Sequence, residues 1–112
     1  MLLKVFYLKK NIVLIRPTDS EFKNVENLVE EIKIFISKER CNNIILDLTE
    51  LNFLNSIRVG ILAATYHFVE FINGKIYLVV QDKQVKKSIE VLNFNNTVII
   101  YNQNSLSLGN II

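Results

Sequence analysis

Hydrophobic positions along this chain keep two rhythms, alternation and a helical stripe, and the switches between them predict the elements. Leu2 to Leu8 reads as a strand, Lys9-Lys10-Asn11 is polar enough to turn the chain, and Ile12 to Ile15 is a second β-rich run. So short a link favours an antiparallel hairpin. Pro17 ends the second strand because it cannot donate to a ladder, and Thr18, Asp19 and Ser20 supply helix-entry chemistry. Val25, Leu28, Val29, Ile32, Phe35 and Ile36 then recur on one side of a helix predicted over 24–38, with Glu26, Glu30, Glu31, Lys33 and Lys38 around it.

The run NIILDL, 43–48, suits a strand covered on both faces, as in a parallel sheet. After TELNFLNS a second helix is predicted over 56–72, closed by Asn73-Gly74. A strand over 76–80 follows. Asp82 then opens a short helix over 84–92, with Val85, Ile89 and Leu92 inward, and a last strand covers 98–101. A further helical turn is an option within 102–112. Strands alternating with helices imply parallel pairing and right-handed crossovers. The expected fold class is therefore α/β. One domain over 1–112 holds a mixed, mostly parallel sheet, with an N-terminal antiparallel hairpin and helices packed against it.

The second helix is apolar on more than one side. Ile57, Gly60, Ile61, Ala64, Phe68 and Phe71 gather on one side and are expected to face the core. Val59, Leu62, Tyr66 and Val69 gather opposite, with Arg58, Thr65 and Glu70 among or beside them. Two readings follow. Either the chain's own tail or a neighbouring helix covers these four residues, or they form an exposed partner-binding patch with Tyr66 as its anchor.

Composition narrows the chemistry. Of 112 residues half are hydrophobic and 21% are charged, which suits a globular domain and excludes a disordered one. A net charge of +2 gives no strong reason to invoke nucleic acid or an anionic membrane. The Lys83, Lys86, Lys87 cluster has no interleaved aromatic residues and reads as a solvated helix face. No run is long and apolar enough to span a bilayer, and the start MLLKVFYLKK has its charges in the wrong order for a signal peptide. A cytoplasmic location is expected. The single Cys41 excludes an internal disulfide, and His67, the only histidine, lies mid-helix. Asp47 and Glu50 read as loop carboxylates. No catalytic constellation, metal-ligand spacing or cofactor loop is recognisable, so no enzyme, metal site or cofactor is expected.

From Asn43 onward the chain resembles the STAS family, most closely its bacterial anti-sigma-factor antagonists. NNIILDLTELNFLNSIRVGIL looks like the family's strand, connector and switch loop running into a helix, and INGKIYLVVQDKQVKKSIEVLNF looks like its turn, strand and small helix. The family's loop reads Asp-Ser-Ser-Gly or Asp-Ser-Thr-Gly, then an apolar residue and Gly. Here the matching stretch is Asn55-Ser56-Ile57-Arg58-Val59-Gly60. The resemblance implies a non-enzymatic partner switch that binds a serine-kinase anti-sigma factor, with Ser56 as the phosphoacceptor and Asn55, Ile57 and Arg58 as the rest of the switch loop. Asn55 removes a negative charge beside the serine, Ile57 replaces a hydroxyl residue, and Arg58 adds a cation that could pair with a phosphate. The family's earlier Gly-Glu-Leu-Asp has no recognisable counterpart; Pro17-Thr18-Asp19-Ser20-Glu21-Phe22 stands there. Asn55 and Ser56 are also good helix N-cap types. An alternative role is a constitutive subunit of a lipid-transport ABC complex or a stressosome-like scaffold, and self-association into a homodimer is a further option. On the switch reading Ser56 is expected to lie exposed at the start of the second helix, open to phosphorylation.

Overall fold

The computed structural model describes residues 3–9, 12–19, 24–40 and 42–101. The order is β1 (Lys4–Lys9), β2 (Ile12–Arg16), α1 (Val25–Glu39), β3 (Asn43–Asp47), α2 (Phe53–Glu70), β4 (Lys75–Val80), α3 (Lys83–Glu90) and β5 (Thr97–Tyr101). Residues 10 and 11 of the expected turn, Ser20, Cys41 and the optional helical turn within 102–112 lie outside the described residues.

One five-stranded sheet has the order β1-β2-β3-β4-β5. β1 and β2 pair antiparallel, with an irregularity between Tyr7 and Lys9, and every later pair is parallel. The expected α/β architecture is the observed one. Each parallel connection steps one strand in the same direction, and right-handed crossovers then place α1, α2 and α3 on the same face of the sheet. The main core lies between them. Val13, Ile15, Ile44, Leu46, Ile76, Leu78 and Val80 point from the strands, and α1 contributes Val25, Leu28, Val29, Ile32 and Ile36. The predicted stripe of α1 is thus the buried one, with Phe35 half-buried against it. Asn24 caps its first turn by accepting from the Asn27 amide at 2.9 Å.

The second helix departs from expectation at both ends. It begins three residues earlier, because Asn52 and not Asn55 or Ser56 is the N-cap; the Asn52 side chain accepts the Asn55 amide at 2.8 Å. It ends at Glu70, and Phe71 closes it by donating its amide to the His67 carbonyl at 2.9 Å. Gly74 is therefore not its C-cap. It marks a crossing of chains, where the Lys75 amide reaches the Asn42 carbonyl at 3.0 Å. A side chain on Gly74 would collide with that backbone carbonyl.

This predicts unequal effects of two glycine substitutions. A Cβ on Gly60 would meet the Ile89 Cδ1 methyl at 2.6 Å, the movable end of a side chain. At Gly74 the obstacle is backbone. Gly74→Ala is expected to destabilise the domain by about 1–3 kcal/mol, and Gly60→Ala by less. Urea unfolding of the two variants checks the order.

Candidate functional site

The site is built where the sheet's parallel strands end and α2 begins. At the end of β3 the chain leaves the sheet with Asp47, which is buried and fully engaged. One carboxylate oxygen accepts Arg16 Nε at 2.8 Å, and the other accepts the Thr49 amide at 2.9 Å and the Thr49 hydroxyl at 2.6 Å. The Arg16 guanidinium also lies over the Phe6 ring, 5.1 Å from its centre. Asp47 is thus neither a solvated loop carboxylate nor free for a ligand. It fixes the turn that carries the chain into α2.

Asp19 does the same from the other side. Its carboxylate accepts the Asn52 amide and the Asn55 side-chain amide, both at 2.6 Å. The first turn of α2 is therefore held by residues more than thirty positions away in sequence. No local motif announces Asp19; only its place after β2, opposite the helix start, gives it this role.

Ser56 stands one turn inside α2, because the helix begins at Phe53. It is only 6% exposed, against the expectation of an exposed serine. Its hydroxyl donates to the Asn52 carbonyl at 2.8 Å, with the Leu48 and Leu51 carbonyls each 3.2 Å away. Three acceptors surround one donor. Arg58 is exposed and pairs with Glu26 of α1 at 2.7 Å, where a surface pair adds little stability. Ile57 is half-buried against the core.

The buried side of α2 is Ser56, Val59, Gly60, Ala63, Ala64 and His67. At ~100° per residue this centres about a quarter turn from the expected core side. Val59 is wholly buried and cannot belong to a surface patch, while Tyr66 is half-buried against the core with Lys33 Nζ 5.6 Å from its ring. Phe68, expected inward, is exposed and stacks on Phe94 at 4.3 Å. Leu62 and Val69 are exposed. With Leu54 and Thr65 they form one outer ridge, Arg58 lying among them. Leu54 was missed because the helix was expected to start after it.

Elsewhere Lys86 pairs with Glu90 at 3.9 Å and Lys83 lies over the Tyr101 ring, so two of the three clustered lysines have local partners. Among the described residues no group of three or more His, Cys, Asp or Glu is placed to hold a metal ion, and no helix is long and apolar enough to cross a membrane.

The titration of His67 is perturbed by its surroundings. The residue is fully buried, its Nε2 bonds the Asn42 carbonyl at 3.0 Å, and its ring stacks on Phe71 at 5.0 Å. Loss of hydration pushes its pKa below the ordinary 6.5, against the raising effect of the Asn42 bond. Nδ1 is buried without a partner. The neutral ring is thus favoured in the fold, and the unfolded chain binds the proton first as pH falls.

The STAS domain family profile matches residues 9–105. A solved structure, described as that of the anti-sigma factor antagonist SpoIIAA in its unphosphorylated form, matches with a TM-score of 0.62 and 18% identity, covering 98% of this chain and 93% of that one. At that identity the likeness is one of fold. No curated protein sequence matches significantly.

The His67 geometry predicts an acid-sensitive stability. Its contribution is complete above about pH 6.5 and is lost as pH falls from there towards the lowered pKa of the folded state. His67→Phe removes the titration, and the Asn42 carbonyl keeps the Lys75 amide as donor. Urea midpoints measured between about pH 7.5 and pH 5.5 should fall more steeply for the wild-type chain than for His67→Phe.

Proposed function

The chain belongs to the STAS domain family, and from that premise we propose that it is a non-enzymatic regulatory domain of the anti-sigma-factor antagonist kind, acting by docking a protein partner on the outer ridge of α2. The observation that carries this reading is the ridge itself. Leu54, Leu62 and Val69 face solvent on a helix whose opposite side is already packed into the core. Apolar groups gathered in this way, beside polar Arg58 and Thr65, have the composition of a protein-binding surface. The fold shared with SpoIIAA supports a partner of the anti-sigma-factor class, a serine kinase or a related regulator acting in the cytoplasm. A non-catalytic role is supported by Asp19 and Asp47 beside the helix start, since both are occupied in holding the chain.

The ridge differs from the patch expected of Val59, Leu62, Tyr66 and Val69. Leu62 and Val69 stay in it, Leu54 joins it, and the buried Val59 and half-buried Tyr66 leave it.

One observation favours a second reading, in which the domain is a constitutive subunit or scaffold of a larger assembly. Ser56, the position matching the family's phosphoacceptor, is buried with its hydroxyl among three carbonyl oxygens. A phosphate there would bring added negative charge against acceptors and would require the first turn of α2 to open. Partner binding then does not depend on a phosphate cycle in the closed conformation.

Two measurements test these readings. Affinity capture from the native cell with Leu54→Asp/Leu62→Asp is expected to lose the partner that the wild-type chain retains, while circular dichroism and the unfolding midpoint stay near wild type. Retention of the partner by the folded double variant overturns the ridge. Ser56→Asp is expected to destabilise the domain by about 3 kcal/mol or more in urea, because a buried carboxylate would face carbonyl oxygens without a donor. If Ser56→Asp instead folds with wild-type stability and releases the partner, the serine is a switch and the constitutive reading fails.

A further inference from the structure

We propose that the outer ridge of α2 also binds a second copy of itself: two chains pack α2 against α2, antiparallel, about a twofold axis passing between Ile61 and Leu62. The proposal rests on the ridge being an interaction surface and adds that in the free protein another copy covers it.

The ridge has the same order of side chains from either end. Leu54, Arg58, Leu62, Thr65 and Val69 are exposed and span an arc of about 80° on the helix. Turned end for end about a point between Ile61 and Leu62, the ridge sets Leu54 opposite Val69 and Arg58 opposite Thr65. Apolar groups then meet apolar ones and polar groups meet polar ones, with Leu62 of each copy beside the axis. Self-complementarity of this kind is what an isologous dimer requires. The Thr65 hydroxyl donates to the Ile61 carbonyl at 2.7 Å, so its oxygen presents lone pairs to the facing arginine. A parallel pair would instead set Arg58 against Arg58.

α1 carries the same symmetry in its charges. Arg58 bonds Glu26 at 2.7 Å, and Lys33 Nζ lies 5.6 Å from the centre of the Tyr66 ring. The two helices therefore run side by side in the same direction, Glu26 level with residue 58 and Lys33 level with residue 66. The antiparallel arrangement exchanges these levels between copies. It brings Glu26 of one chain opposite Lys33 of the other, twice in each dimer. Glu26 is exposed and Lys33 half-buried, and the two stand about two turns apart on one side of α1. An apolar centre flanked by opposite charges has the anatomy of a specific interface. In the dimer the ridge is covered, so docking of a different partner competes with self-association by mass action.

Sedimentation of the full chain under reducing conditions, over about a hundredfold range of concentration, is expected to show a reversible monomer–dimer equilibrium. Leu62→Asp is expected to leave a folded monomer. Glu26→Lys and Lys33→Glu each place like charges at both α1 contacts, and each alone is expected to weaken the dimer about tenfold or more. Mixed in equal amounts, these two variants restore opposite charges at both contacts, and the heterodimer is expected to form with near wild-type affinity. Loss of folding could not be rescued in this way. A chain that stays monomeric at every concentration overturns the proposal and leaves the ridge to a partner or to other residues of the same chain. A dimer unaffected by Leu62→Asp, or a mixture that dimerises no better than its components, overturns it as well. The docking reading fails separately: a wild-type chain that dimerises in this manner but loses no captured protein on Leu54→Asp/Leu62→Asp refutes that reading and supports self-association.

Discussion

The close seating of α2 against its neighbours in the core governs most of what is distinctive here. The helix can settle this closely among its neighbours because its buried side is built mostly from small residues, Ser56, Gly60, Ala63 and Ala64, together with Val59 and His67. At Gly60 there is no room for even a methyl group without moving Ile89 of α3, so the tightest contact there is with a neighbouring helix. Interiors are packed to the density of organic crystals, so such a contact has one good rotation and few alternatives. That rotation buries Ser56 and Val59 and turns Leu54, Leu62 and Val69 outward. The apolar ridge is thus a consequence of steric fit on the other side of the same helix.

A polar lattice holds the helix at that rotation. Asp47 ties the end of β3 to Arg16 and to the following turn, and Asp19 reaches across to the start of α2. Both anions are partnered by several donors, which offsets the cost of taking them partly out of water. Asn52 caps the first turn, and Ser56 returns a hydrogen bond to the Asn52 carbonyl. Removing any one of these bonds loosens the same turn, so their contributions are coupled and not simply additive.

Much of this was legible in the sequence because it depends on period. The five strands, the three helices and the inward stripe of α1 follow from alternation and from i, i+3, i+4 spacing, and each was placed within a few residues. The rotation of α2 was not legible by the same means. Apolar residues occur nearly all round that helix, so hydrophobicity selects no side. The deciding signal is size: Ser56, Gly60 and Ala63 at i, i+4 and i+7 mark the side on which the helix can lie closest to the elements packed against it. The helix start was misplaced for a different reason. Asn52 and Asn55 are equally good caps in isolation, and it is Asp19, far off in sequence, that bonds to both and stabilises the earlier start. Burial of His67 was likewise invisible, since its acceptor is a backbone carbonyl at Asn42.

These two constraints bear on how such a domain could be regulated. The ridge residue Leu54 and the buried Ser56 belong to the same first turn of α2, on opposite sides of it. Any chemistry that draws Ser56 outward must break its bonds to the surrounding carbonyls and unwind that turn, and in doing so it moves Leu54. A modified serine and a docked partner would then compete for one structural element without touching each other. The coupling would be set by the free energy of opening a single capped turn. Because Asp19, Asn52 and Ser56 all contribute to that free energy, the strength of such a switch is tuned by residues outside the loop in which the serine lies.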